Sequence, residues 1–237
     1  MAVYVYSIVA TAHPQRLAGL DGVGDPPATL RAVYADKLSA VVSDAPEELR
    51  PKRRDLAAHQ AVQERLMADG TILPLQFGFT ATDDAAVRTV LEERADEFTE
   101  RLQALEGCAE YHLKAGQDED AMLRQILRES DEARGLNEQI RSGSTNPELP
   151  LALGELVAQE VQARQDRLAA AAVEALRGFA REEVSSRPTG NDFVSVSFLV
   201  DRDHEDGFRT AEKELADELG SDFDLRLRGP LPAYSFV

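Results

Sequence analysis

The chain is predicted to be an α+β protein: two α+β domains with mainly antiparallel, ferredoxin-like sheets, a long helix and an ordered C-terminal tail. Three observations lead there. Strand-type alternation and amphipathic helical periods follow one another as strand, helices, strand, helix, strand. The 237 residues, 43% apolar and 29% charged, suffice for one large core or two small ones. Glu106-Gly107 closes a helical period just before a new strand pattern. That places the boundary between an N-terminal domain, 1–106, and a C-terminal domain, 107–237, which includes the tail 230–237.

In the first half, residues 3–9 are apolar nearly throughout and read as a strand buried on both faces. A Gly/Pro/Asp-rich loop covers 19–27. Residues 33–34 and 38–43 form a hairpin around Ala35-Asp36-Lys37. Leu56, Val62 and Leu66 keep helical spacing over 55–68, and Asp69-Gly70 stops that helix. Residues 72–77 read as a strand. Thr82-Asp83-Asp84 caps a helix running to Leu105, with Val87, Val90, Leu91, Phe98 and Leu102 on one side.

In the second half, 108–115 alternates as a strand and 118–132 is helical, after which the periodicity fails. Residues 141–150, rich in Ser, Gly, Asn and Pro, make the clearest loop. A long helix spans 153–184 with a wide, Ala-rich apolar stripe, suited to packing on the C-terminal sheet or to accepting an amphipathic helix from another protein. Residues 193–200 form a strand, 206–219 a helix and 223–228 a last strand. Helices on one face of each sheet complete the expected architecture.

Composition excludes several function classes. The net charge of −17 repels nucleic acid and anionic lipid. The one basic cluster, Lys52-Arg53-Arg54, precedes Asp55 at a helix start and reads as a solvated helix end. No apolar run approaches the ~20 residues of a membrane helix. No basic, apolar and cleavable leader pattern opens the chain, and a single cysteine, Cys108, cannot form an internal disulfide. The expected location is the cytoplasm.

Chemistry-bearing constellations are equally sparse. Gly19, Gly22 and Gly24 lack the spacing of a phosphate loop, and Asp21 and Asp25 beside them repel phosphate. Cys108 and His112 are four apart on a strand, a separation of ~13 Å that no single metal bridges. His13, His59 and His204 are scattered, and His59 suits a buried hydrogen bond on its helix. Asp201, Asp203, Glu205 and Glu212 mimic the first, third, fifth and twelfth ligands of a calcium loop. Asp206 stands where that loop needs glycine, and a strand precedes it instead of a helix. An acidic turn leading into a helix is the simpler reading; a ferredoxin-like metal or small-molecule sensor is the competing function. Ser144 has no companion base nearby and no G-x-S-x-G elbow exists. No catalytic residue, cofactor site or metal site is assigned, and the chain reads as a non-enzyme.

The last ten residues, Arg228-Gly-Pro-Leu-Pro-Ala-Tyr-Ser-Phe-Val237, carry the most information. Two prolines direct the chain away from the final strand, and Tyr234, Phe236 and Val237 then offer apolar area that is costly to leave in water. In an extended path Tyr234 and Phe236 point to the same side and suit a groove walled by the first strand and the Phe77 strand. This ending resembles the terminus of the gas vesicle protein F/L family, with Leu231 for a frequent Trp and Ala233 for a second proline. Three other stretches agree in order: Tyr4-Val-Tyr-Ser-Ile-Val9; His59 through Leu66 followed by Leu73-Pro-Leu-Gln-Phe-Gly78, with Gln76 for the usual Arg; and Leu153-Gly-Glu-Leu-Val-Ala158, closer to the F branch. The resemblance implies an accessory or minor structural protein of gas vesicles. Its implied partners are the small hydrophobic major shell protein, bound during assembly, and other gas vesicle accessory proteins, with no nucleic acid and no membrane.

Overall fold

The structure, a computed structural model, describes all residues from Met1 to Val237. It divides into two compact units. The first comprises Met1–Tyr111, Leu199–Arg202 and Gly229–Val237; the second comprises His112–Phe198 and Asp203–Arg228. Residues 107–111 and the tail, placed in the second half by sequence, group with the first unit.

The first unit is organised by β1 (Val3–Ala10). It pairs antiparallel with β3 (Leu38–Asp44) on one side and with the short β4 (Leu73–Pro74) and β5 (Thr80–Ala81) on the other; β2 (Arg31–Ala35) lies outside β3. The β2–β3 turn holds Asp36 at φ 49°, a left-handed conformation that Asp tolerates. A register shift between Val5 and Ser7 marks a bulge in β1. Before it Val3 and Val5 face one core and Tyr4 and Tyr6 the other; after it the parity is exchanged, so Ile8 joins Val5 and Val9 joins Tyr4. One extra residue exchanges the faces of a strand in this way.

Both faces of this sheet are covered, which corrects the expectation of helices on one face. On one side Val62 and Leu66 of α1 (Arg53–Asp69) close over Tyr4, Tyr6 and Val41. On the other, Val87 and Leu91 of α2 (Asp84–Glu93) and Phe98 and Leu102 of α3 (Ala95–Ala104) close over Val3, Val5, Ile8 and Val42. A doubly buried strand such as β1 requires two such covers. The expected single helix over 82–105 breaks at Arg94 (φ −112°, ψ 24°), where Asp96 and Glu97 favour a fresh N-terminus. The expected strand over 72–77 shrinks to two residues, because Pro74 offers no N–H to a ladder and Gly78, at φ +102°, turns the chain.

The second sheet has the order β7-β8-β6-β9, from β6 (Cys108–Gln117), β7 (Ala180–Ser185), β8 (Asp192–Asp201) and β9 (Phe223–Leu231). With α4 (Glu119–Glu129), α5 (Asp131–Arg141) and α6 (Glu148–Arg177) between β6 and β7, and α7 (Glu205–Leu219) between β8 and β9, the connectivity is ferredoxin-like. Helix α6 starts earlier than expected, since Pro150 sits in the first turn where its missing N–H costs nothing. It also stops earlier: Gly178 ends it, and residues 180–185 form the charged sheet-edge strand β7 in place of more helix. Helix α5 buries only Ala133 fully, with Leu136 and Ile140 half-buried on the same face, a stripe too short to stand out in the sequence. Leu153, Leu156, Val157 and Val161 of α6 pack with Met122 and Ile126 of α4 and with Ala133. No helix is long and apolar enough to cross a membrane.

Candidate functional site

Beneath α1, the first unit buries a polar network in an aromatic setting. His59, 5% exposed, lies among Tyr4, Tyr6 and Phe77, with ring centroids 5.7–5.8 Å away. The Gly78 N–H donates to the Tyr4 hydroxyl (3.1 Å), whose oxygen shares a hydrogen bond with His59 Nδ1 (2.9 Å). Burial pushes the His59 pKa down to about 4, against a smaller upward pull from the Leu75 carbonyl, so the ring is neutral at neutral pH. Gln63, one turn on, accepts from the Ser7 hydroxyl at Oε1 (2.5 Å) and donates to the carbonyls of Tyr6 (2.5 Å) and Leu75 (3.3 Å). The Val23 N–H donates to the Tyr6 hydroxyl (2.8 Å), which reaches Ser43 Oγ (3.0 Å).

The tail enters this same network. The Tyr234 hydroxyl lies 3.3 Å from His59 Nε2. Burial, with added repulsion from Glu110 and Glu64, pushes the Tyr234 pKa up to about 12. Ser235 is clamped by the Glu110 carboxylate, to which its N–H (2.9 Å) and hydroxyl (2.8 Å) both donate. Phe236, 3% exposed, joins Val5, Ile8, Phe98 and Leu102 in the core under α2 and α3, and Arg101 Nε donates to its carbonyl. Val237 is 54% exposed. Residues Tyr234–Phe236 form a 3₁₀ turn in place of the extended path expected from sequence. The two hydrogen bonds from Ser235 to one carboxylate favour that turn, which sends Tyr234 to the His59 network and Phe236 to the other core. Ahead of the turn, a Cβ on Gly229 would stand 2.4 Å from Tyr111 Cδ1 and 2.9 Å from the Glu110 carbonyl oxygen, so glycine is required there by close approach.

Beside the docked tail an apolar groove of about 560 Å³ stays open. Val5, Ile8 and Leu73 form its floor; Val87, Val90 and Leu91 of α2 form one wall, with Phe79, Arg94 and Val237 at the rim. Phe79 is 53% exposed and Val90 43%.

Four stretches singled out in the sequence bear on this region. The Tyr4–Val9 strand, the His59 helix and the Leu73–Gly78 stretch form the network, and the tail reaches it through Tyr234. Over the whole chain, a model of the family described as "Gas vesicle synthesis protein GvpL/GvpF" matches residues 2–237. The chain belongs to the GvpL/GvpF family. It is 44% identical to gas vesicle protein F of Streptomyces sp. (strain CB03234), with 100% of both chains covered. The crystal structure of GvpF from Anabaena sp. PCC7120 matches with a TM-score of 0.85 at 22% identity, over 99% of this chain and 97% of that one. GvpF from Microcystis aeruginosa gives 0.80 at 23%, over 99% and 98%. At those identities the two structures establish a shared fold.

The remaining candidate residues of this GvpL/GvpF member are dispersed. Asp201 ends β8 and accepts from Cys108 Sγ (3.7 Å), a 3₁₀ turn covers Arg202–His204, and Glu205 pairs with Arg209 (2.9 Å). No group of three or more His, Cys, Asp or Glu side chains is placed to hold a metal ion. His112 bonds Ser195 Oγ (3.0 Å) in the second unit, whereas Cys108 lies in the first. Arg54 of the basic cluster is spent on Asp25 (2.8 Å) and Asp55 (3.6 Å). Ser144 lies in an exposed loop. The sequence reading passed over Gln63, Glu110 and Arg101. None of the three had a signal: Glu110 falls in phase with His112 and Lys114 on the polar side of an alternating strand, and Gln63 and Arg101 are ordinary helix residues.

Proposed function

We propose that this chain is a non-enzymatic accessory or minor structural protein of gas vesicles. In this reading it binds the small hydrophobic major shell protein during assembly, in the cytoplasm and at the vesicle. The observation that carries it is the match to a gas vesicle family from residue 2 to residue 237. Physical chemistry supports the partner. A strongly apolar subunit awaiting polymerisation needs a companion that covers its surface, and a net charge of −17 resists co-aggregation. Co-expression of tagged chain with the major shell protein tests this: soluble shell protein should appear in the purified fraction and be absent without the tagged chain. Shell protein equally soluble, and uncaptured, in both cultures refutes the reading.

Residues 230–237 serve in this proposal as an internal latch and not as a recognition peptide. Support comes from the buried Phe236 and from the bonds of Tyr234 and Ser235 to His59 and Glu110. Deleting 230–237 should lower the melting temperature markedly. An unchanged melting temperature with lost shell-protein binding would make the tail a partner-binding peptide.

A further inference from the structure

Residues 11–20, between β1 and β2, are tied to the C-terminal end of α1 through His13. The Gln15 N–H donates to His13 Nδ1 (3.1 Å), so the neutral ring carries its proton on Nε2 and donates it to the Leu66 carbonyl (3.0 Å). The Gly70 N–H reaches the same carbonyl (3.0 Å), and a Cβ on Gly70 would stand 2.9 Å from His13 Cδ2. Further along, the Arg16 N–H donates to the Asp69 carboxylate (3.3 Å) and the Arg16 guanidinium pairs with it (3.4 Å). Leu17 and Leu20 pack on the core that includes Val62 and Leu66 of α1. The tied segment is not relaxed. Gln15 holds a left-handed φ of 48°, uncommon outside glycine, and its Oε1 is buried without a hydrogen-bond partner while its Nε2 donates to Ser39 Oγ (2.9 Å).

We propose that residues 11–20 form a proton-released strap: a proton added to His13 Nδ1 meets the Gln15 N–H, donor against donor, and the segment lifts from α1. Release also frees Gln15 from its left-handed backbone and uncovers the part of the α1 core that Leu17 and Leu20 cover. Burial holds the tied His13 ring below the ordinary imidazole value, against upward pulls from the Leu66 carbonyl, the Asp69 carboxylate and the Gly70 backbone. Three other charged groups lie near the ring. Arg16 is held on Asp69, and Lys37 of the β2–β3 turn and Glu106, beyond α3, line the cleft beside His13. A free segment takes up its proton at about pH 6.5, so the strap holds fully above that pH and loosens below it, at most about tenfold per pH unit. The device does not depend on the shell-protein reading.

Amide hydrogen exchange by NMR on the full chain tests this, read as protection at Gln15, Arg16 and Leu17 after correction for the intrinsic effect of pH, together with a titration of the His13 ring. Between about pH 7 and pH 5.5 the protection of these amides should fall several-fold, and at most about tenfold, with the ring titrating below about 6.5. His13→Asn should lower protection at neutral pH and abolish the pH step. Asp69→Asn removes the Arg16 contacts but not the histidine, so it should lower protection at both pH values and keep the step. A step that survives in His13→Asn, or disappears in Asp69→Asn, overturns the assignment to His13. If His13→Asn does not fold, wild type decides alone: protection that is constant between the two pH values, or a ring that titrates at or above about 6.5, overturns the strap.

Discussion

His59 shows how one neutral imidazole can organise a core and what that organisation costs in acid. Its folded pKa, about 4, lies below the unfolded value of about 6.5. Its contribution is therefore complete above pH 6.5 and is lost as the pH falls toward 4, because only the unfolded chain takes up the proton in that window. The slope from this one group reaches at most about 1.4 kcal/mol per pH unit. Stability of wild type measured from pH 7 to pH 4 should therefore fall more steeply than that of His59→Gln, with the two curves converging toward pH 4. Parallel curves would mean that the ring charges in the folded state. Phe236 acts through packing alone. Truncating it to alanine should cost about 3–5 kcal/mol, as for other buried Phe side chains. At about 2–4 °C per kcal/mol for a chain of this size, the melting temperature should drop on the order of 10 °C. A drop under 2 °C would mean that the pocket refills or that the tail is not seated in solution.

Single elements show where the sequence was legible and where it was not. Strands β1, β3 and β8 and helix α7 were readable from their apolar periods; α1 was readable from Val62, Leu66 and the Asp69-Gly70 stop, although its buried face also carries Asp55, His59 and Gln63. Helix α5 was passed over although Ala133, Leu136 and Ile140 keep helical spacing, because three apolar positions among charged and amide residues make a short signal; its start is carried by the Ser130 cap (Ala133 N–H to Oγ, 3.2 Å). Strand β7 was hidden inside a helical reading because Arg181, Glu182 and Glu183 fit an exposed helix face as well as a solvated edge. Of the site, His59 was legible as a hydrogen-bonding core residue, but its partners were not, because Tyr4, Gln63 and Tyr234 converge through sheet pairing and tail docking. The tail's glycine is an element-level device too. Gly229 brings the backbone against the Tyr111 ring at a distance that admits no Cβ. Gly229→Ala should destabilise by about 1–3 kcal/mol through overpacking. Tyr111→Leu in the same background should recover part of that loss by opening space; no recovery would place the strain in the backbone.

At the scale of the whole molecule, charge and apolar surface divide the work. The net charge of −17 is carried by exposed carboxylates, whose pairings with arginine are mostly solvent-facing; those with Arg94, Arg177 and Arg226 leave half or nearly half of each arginine side chain in water. Such pairs contribute about 0–1 kcal/mol each and weaken as salt rises. A net charge of this size favours solubility, and in the proposed function capture of an apolar shell subunit draws on area removed from water, which moderate salt leaves intact. Shell-protein capture should then fall no more than a few-fold between 20 mM and 150 mM salt. Capture that disappears at 150 mM would mean that charge holds the partner.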